Sequence, residues 1–240
     1  MSVFLRSSLF ALVQVVVTPL FSVIALLTFP LAPLARYRVI SAWAWFMVGA
    51  AERLCGIRYR VLGAGHLPPP PYIVLAKHQS AWETLAFQLI FPPQVWVVKR
   101  ELLWIPFFGW GLAMLSPIAI DRGAGSRALR QLLEQGRDRL ARGFCIVIFP
   151  EGTRVAPGAR REYQVGGAWL AARTETPVVP VAHNSGTVWG RNAFLKRPGT
   201  VTVSIGAAIE SRGTEPEALN RKVEAWIEEE MRRLENMPPP

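Results

Sequence analysis

Apolar and polar positions are arranged in two different ways along this chain of 240 residues. The first part is almost continuously apolar: residues 7–35 contain no charged side chain, and a second apolar stretch covers residues 39–51. From residue 72 onward, short apolar runs alternate with longer amphipathic segments, which is the pattern of strands and helices. We therefore predict an N-terminal membrane-associated helical segment, residues 1–55, followed by one α/β domain, residues 56–240.

Six short apolar runs are predicted to be strands: residues 72–76, 94–98, 117–120, 144–149, 178–182 and 201–205. Four longer segments are predicted to be helices: residues 80–90, 126–141, 166–173 and 216–234. Thr214 and Glu217 have the spacing of a capping box before the last helix. The alternation indicates an α/β fold with a mostly parallel central sheet flanked by helices, whose ligand sites lie at the carboxyl ends of the strands. The proline-rich residues 63–71 are predicted to be a loop that leads into the first strand.

The N-terminal segment is long enough to span a bilayer as a helix. Prolines interrupt it at positions 19, 30 and 33, and the second stretch carries Trp43 and Trp45, a residue type favoured at membrane interfaces. One span and a two-helix hairpin that dips into one leaflet both fit this pattern, and a cleaved signal peptide is the third alternative. Only Arg6 precedes the apolar segment, whereas five arginines lie between residues 36 and 60. This asymmetry places the main domain on the cytoplasmic side.

Composition narrows the choice of partners. A formal charge of +10 is combined with nine tryptophans, which suits an anionic membrane face better than nucleic acid, and no nucleic-acid-binding motif is present. Cys55 and Cys145 are far apart in sequence and are predicted to be reduced structural residues. The three histidines lack the paired spacing of metal ligands, so we expect no metal site.

The octet from Lys77 to Thr84 combines a histidine, a carboxylate and the start of a helix. Ser80 followed by Glu83 has the spacing of a capping box, and His78 lies on the turn between a predicted buried strand and this helix. A neutral imidazole beside a carboxylate is a candidate general base. The alternative is that Glu83 only caps the helix and His78 is only a loop histidine.

Charged clusters follow three of the predicted strands: Lys99-Arg100-Glu101, Asp121-Arg122 and Glu151-Gly152-Thr153-Arg154. In a parallel sheet these clusters meet at one edge, beside His78. Arginine offers forked donors and lysine a point charge, so the cluster suits a phosphate group. Each cation taken singly could instead be a solvated surface charge.

These residues carry a resemblance to a known family. Four ordered blocks resemble those of the glycerolipid acyltransferase family, and within it the bacterial enzymes that acylate 1-acylglycerol-3-phosphate: His78 with Glu83 five positions later, Pro117-Ile118-Ala119-Ile120-Asp121-Arg122, Phe149-Pro150-Glu151-Gly152-Thr153-Arg154, and Val179-Pro180-Val181. The similarity covers about residues 72–186, and the order of the blocks makes it more specific than any single block.

The resemblance implies an O-acyltransferase of phospholipid biosynthesis at the bacterial inner membrane. His78 would take the proton from the hydroxyl of a lysophospholipid, and Glu83 would orient the imidazole. The substrate-binding positions would be Arg122 and Arg154 for the phosphate and Glu151 for the glycerol portion, together with Gly152 and Thr153 of the same block and, as a weaker transfer, Lys99. The acyl donor would be acyl-CoA or an acyl-carrier protein, with no cofactor.

Two departures from the family pattern matter. Glu83 stands where the family usually has aspartate, which adds a methylene to the reach toward His78. Gln164 or Val165 stands where many relatives have a lysine, which leaves the acceptor headgroup open. The rival interpretations are an acyltransferase for glycerol-3-phosphate or another lysolipid such as a lyso-ornithine lipid, a serine hydrolase that uses Ser185 near His183, and an inactive membrane-binding relative.

Overall fold

The computed structural model describes residues 1–237 of the chain, without the side chain of Arg122. Its helices are α1 (Val3–Leu27), α2 (Pro33–Ile40), α3 (Ala42–Ala50), α4 (Trp82–Ile90), α5 (Phe108–Met114), α6 (Ser126–Ala141), α7 (Gly166–Thr174) and α8 (Pro216–Glu235). Its strands are β1 (Ile57–Leu62), β2 (Ile73–Ala76), β3 (Gln94–Lys99), β4 (Ile118–Ile120), β5 (Cys145–Ile148), β6 (Val178–His183) and β7 (Gly199–Ile205). All six predicted strands and all four predicted helices are present, with ends that differ by two residues or fewer.

The seven strands form one sheet in the order β1-β7-β6-β2-β5-β3-β4. Neighbouring strands are parallel except β6 and β7, which run antiparallel. β2 is buried along its whole length and lies between β5 and β6. The predicted α/β fold with a mostly parallel sheet is therefore confirmed, and the segments that follow β5 and β6 flank the turn that follows β2.

The edge strand β1 was not predicted, so the sequence-based expectation that the first strand follows residue 71 is wrong. β1 pairs with β7, and its second and third residues, Arg58 and Tyr59, are exposed. Charged side chains are typical of edge strands, where they discourage pairing with other chains. In the sequence, Arg58 and Arg60 have the pattern of charges that flank a membrane segment rather than that of residues in a strand.

The helices pack in two groups beside the sheet. α6, α7 and α8 contact one another in turn and lie against β2, β4, β5 and β6, while α4 packs against α3. The capping box predicted before α8 is absent: the Thr214 hydroxyl donates to the carbonyl of Glu210, and the helix begins at Pro216 with no side-chain cap. Proline suits this first position because its missing N–H would be unpaired there anyway.

The N-terminal segment is one long helix followed by two short ones. α1 continues through Pro19 for 25 residues, about 37 Å at the rise of an α-helix, and it is long and apolar enough to cross a membrane. One side of α1 contacts α5 and α3, with Phe10 and Ala25 buried, while its other side exposes large apolar side chains. The role of residues 1–55 as an anchor stays a prediction.

Candidate active site

His78 lies on the turn between β2 and α4, at the carboxyl edge of the parallel strands. Its Nδ1 is 2.8 Å from Oε1 of Glu83, and its ring stacks on that of Phe149 with centroids 3.9 Å apart. A carboxylate can only accept a hydrogen bond, so Nδ1 carries the proton and Nε2 is the basic nitrogen. The His78 side chain is 14% exposed, whereas Glu83 is wholly buried. Glu83, one methylene longer than the aspartate usual in the family, thus lies within hydrogen-bond distance of the imidazole.

Glu83 has two roles at once. Its Oε1 also accepts the backbone N–H groups of Gln79 at 2.9 Å and Ser80 at 2.8 Å, and the Ser80 hydroxyl accepts the N–H of Trp82. Glu83 is thus both the partner of His78 and part of the helix start. These bonds also commit two N–H groups at the start of α4 to Glu83.

The ionised form of Glu83 is strongly favoured. Burial by itself would raise the pKa of Glu83, but the neighbouring imidazoles of His183 and His78 and the N–H group of Ser80 outweigh it and lower the pKa to about 2. An ionised Glu83 stabilises the positive charge that forms when His78 accepts a proton.

Ser185 and His183 complete the surroundings of Glu83, and both follow or end β6. The Ser185 hydroxyl donates to Oε2 of Glu83 at 2.9 Å. The His183 ring bonds the carbonyl of Lys77 through Nε2, and burial lowers its pKa. Neither residue is exposed at all. The sequence placed this pair in a rival serine site and offered no signal for the contact between Ser185 and Glu83, which are 102 positions apart.

Glu151 belongs to a buried charge network behind His78. Its Oε2 accepts the backbone N–H of His78 at 2.8 Å, and its Oε1 is 2.7 Å from Nζ of Lys77. The same ammonium is 2.9 Å from Oε1 of Glu228, which also accepts the Tyr163 hydroxyl. Burial raises the pKa of Glu151, and Lys77 partly offsets this effect. The sequence predicts a site role for Glu151 but not for Lys77 or Glu228, because the pairing of Lys77 with these carboxylates joins distant parts of the chain.

The remaining predicted residues follow β3, β4 and β5 at the same edge of the sheet. Lys99 ends β3 and is exposed, and Arg154 and Thr153 are half-buried in the loop after β5. Gly152 adopts a positive φ of 69°, which glycine tolerates best, and turns the chain directly after Glu151. Arg122 follows β4 at this edge, and its side chain lies outside the described residues. The substrate-binding roles of these residues stay predictions.

Comparison with known proteins defines the class. The sequence profile of the family described as "Acyltransferase" matches residues 58–184, a range that contains His78, Glu83 and the loop after β5. This chain belongs to the acyltransferase family, and it is an enzyme that transfers acyl groups to a hydroxyl oxygen.

Comparison with individual proteins shows which acyltransferases this chain resembles. A 1-acyl-sn-glycerol-3-phosphate acyltransferase of Pseudomonas aeruginosa is 44% identical over 216 residues, covering 87% of this chain and 84% of the relative. The 1-acyl-sn-glycerol-3-phosphate acyltransferase alpha of Mus musculus is 30% identical over 70% of this chain and 60% of its own length. The solved structure of the 1-acyl-sn-glycerophosphate (LPA) acyltransferase PlsC from Thermotoga maritima matches with a TM-score of 0.83 over 98% of this chain and 97% of its own, at 21% identity. That likeness confirms the fold.

Proposed function

We propose that this enzyme transfers a fatty acyl group from an acyl thioester to the sn-2 hydroxyl of 1-acyl-glycerol-3-phosphate, which makes phosphatidic acid. The observation that carries the proposal is the pairing of His78 with a buried, ionised Glu83 at the carboxyl edge of the sheet. The name of the Pseudomonas relative supports the choice of acceptor. Acyl-CoA and an acyl-carrier protein both fit as donors, and the reaction needs no cofactor.

The chemistry follows from the atoms of the site. Nε2 of His78 takes the proton of the acceptor hydroxyl while the hydroxyl oxygen attacks the thioester carbonyl carbon. The tetrahedral intermediate then collapses, the carbon–sulfur bond breaks, and the imidazolium returns its proton to the leaving thiolate. Positioned proton transfer of this kind contributes on the order of 10² to 10⁴ in rate. Phosphate binding by Arg122, Arg154 and Lys99, at the ends of neighbouring strands, would hold the acceptor in register.

The membrane is the proposed location of the reaction, because both substrates carry acyl chains. α1 exposes a row of apolar side chains that includes Leu12, Val16 and Leu20, each about 60% exposed (61%, 62% and 59%). Burying such residues in lipid is favourable by roughly 1.5–3 kcal/mol each. We infer that α1 holds the enzyme at the bacterial inner membrane with the active site on the cytoplasmic side, where acyl thioesters are available.

The hydrolase alternative gains nothing from the geometry. A serine nucleophile needs a histidine that accepts its proton and access to the substrate. The Ser185 hydroxyl donates to Glu83 instead, and both Ser185 and His183 are fully buried. An acyltransferase with glycerol-3-phosphate or a lyso-ornithine lipid as acceptor remains the second candidate, since the lysine expected near Gln164 is missing.

The test is an assay of the full chain in membranes with labelled acyl-CoA or acyl-carrier protein and a panel of acceptors. We expect phosphatidic acid from 1-acyl-glycerol-3-phosphate, and a loss of about 10² to 10⁴ in rate for His78→Ala. His66→Ala is the matched control, because His66 is an exposed histidine in the loop after β1. Equal rates for His78→Ala and the wild type would refute the general base, and release of free fatty acid alone would favour the hydrolase.

A further inference from the structure

We propose that residues 102–110, named here the aromatic strap, form a second membrane-inserting element beside α1, with the lipid bilayer as their partner. The strap follows β3 and includes the start of α5. Within nine residues it exposes six large apolar side chains: Leu102 37%, Trp104 78%, Ile105 43%, Phe107 41%, Phe108 38% and Trp110 44%. The proposal rests on the membrane location argued above and adds to it a specific surface of the catalytic domain.

The strap has a defined conformation. The N–H of Gly109 donates to the carbonyl of Ile105 at 2.7 Å, and a Cβ at Gly109 would clash with the carbonyl oxygen of Leu103. Phe107 adopts a positive φ of 61°, which costs free energy in a bulky residue. A segment that holds this turn while leaving its rings in solvent has its apolar surface arranged for a partner.

The apolar surface of the strap is continuous with that of the N-terminal helices. The Ser22 hydroxyl of α1 donates to the carbonyl of Phe107 at 2.8 Å. The rings of Phe108 and of Trp43 in α3 pack edge to face, with centroids 6.5 Å apart. The exposed apolar side chains of the strap thus adjoin those of the 25-residue apolar helix α1, and large contiguous apolar patches mark membrane or protein interaction sites. The partner that covers α1 therefore covers the strap as well.

Charge at the base of the strap favours an anionic bilayer over a second copy of this chain. Lys99, Arg100 and Glu101 are exposed directly before it, which gives the base of the strap a net positive charge that an anionic leaflet attracts. A second copy would bring like charges together, because the chain carries a formal charge of +10. Since β3 ends at the edge that carries His78, insertion of the strap would fix the height of the active site above the lipid.

The experiment labels the strap with a polarity-sensitive fluorophore in the variant Trp104→Cys, and Ala141→Cys is the matched control. Ala141 is exposed at the end of α6, at the opposite edge of the sheet, and both native cysteines are buried and free. With vesicles of phosphatidylethanolamine and phosphatidylglycerol, we expect the label at position 104 to shift to the blue and its quenching by iodide to fall several-fold. The label at position 141 should remain as accessible as in detergent.

Three results would overturn the proposal. Iodide could still quench the label at position 104 while the protein sediments with vesicles. This result would leave α1 as the anchor and show that the strap does not insert into the membrane. Protection could arise without vesicles and grow with protein concentration, which would assign the strap to a second copy. The protein could also fail to sediment with vesicles at all. Because these readouts do not use acyl transfer, they are separate from a failure of the proposed activity.

Discussion

At the scale of single residues, the conformation of His78 depends on a carboxylate that solvent does not reach. Glu83 accepts one imidazole N–H, two backbone N–H groups and one hydroxyl. Hydrogen bonds to a charged group contribute about 1.5–3 kcal/mol each, so this set holds the carboxylate in one orientation. The hydrogen bond to Glu83 and the stacking on Phe149 then hold the imidazole of His78 in one orientation.

Ser185→Ala tests whether the hydroxyl on Oε2 of Glu83 positions the dyad. We expect kcat to fall by on the order of tenfold to a hundredfold with KM for the acceptor nearly unchanged, because the charge-assisted hydrogen bond that is lost orients Glu83 and not a group proposed to bind the acceptor. Steady-state kinetics well below the melting temperature measure this split. Thr187→Ala removes an exposed hydroxyl two residues away and should leave kcat unchanged. A lower melting temperature with wild-type kcat would make Ser185 a purely structural residue.

At this scale, the sequence predicts only the pairs that are local in the chain. His78 and Glu83 are five positions apart, and a strand-to-helix turn brings such residues together whatever the rest of the fold does. Lys77 lies in the same octet, but its partners are Glu151 and Glu228. Nothing in the local pattern distinguishes a lysine buried in an ion pair from a solvated one.

At the scale of elements, α8 is connected to the active site through Lys77. Glu228 projects from α8 and is 7% exposed. Its carboxylate forms an ion pair with the Lys77 ammonium and accepts a hydrogen bond from the Tyr163 hydroxyl. Lys77 also forms an ion pair with Glu151, whose carboxylate accepts the backbone N–H of His78. The amphipathic pattern of α8 indicated an outer helix with an apolar inner face, and it did not indicate a carboxylate on that face.

Lys77→Met and Glu228→Leu should differ in their cost to stability. Lys77→Met leaves the buried Glu151 without its cation, while Glu228 keeps Arg160, whose Nε is 3.1 Å from Oε2. We expect this variant to lower the free energy of unfolding by about 3–5 kcal/mol. Glu228→Leu leaves the pair of Lys77 with Glu151 intact and should cost clearly less. Urea denaturation of both full-length variants in the same detergent measures the difference. Equal losses, or a larger loss for Glu228→Leu, would contradict a network centred on Lys77.

At the scale of the whole molecule, the N-terminal helices are part of the same core as the sheet. Met47 and Cys55 lie within the predicted anchor segment, yet both are fully buried in the hydrophobic cluster that contains Ile57 and Val201. Removing residues 1–55 would therefore open the core as well as remove the apolar surface. Substitutions on the exposed side of α1 separate membrane binding from folding.

The variant Leu12→Asp with Val16→Asp should release the enzyme from membranes. Both side chains are more than 60% exposed (61% and 62%), so the fold should persist, while each aspartate costs roughly 2.5–3.5 kcal/mol in the middle of a membrane helix. The fraction that sediments with membranes after a high-salt wash measures the effect. Ala141→Asp with Ala225→Asp adds the same charge at exposed positions of α6 and α8 and should stay bound. Undiminished sedimentation of the α1 variant would contradict anchoring by this helix.

The sequence by itself determined the type of nearly every element, the parallel sheet and the pairing of His78 with Glu83. These features depend on periodicity and short spacing, which a chain carries locally. Only the tertiary structure decided that β1 joins the sheet as an edge strand, that Ser185 bonds Glu83, that Lys77 pairs with Glu151 and Glu228, and that the aromatic strap is exposed. Each of these depends on contacts between segments distant in sequence, whose proximity follows from the strand order and from how helices cover the sheet.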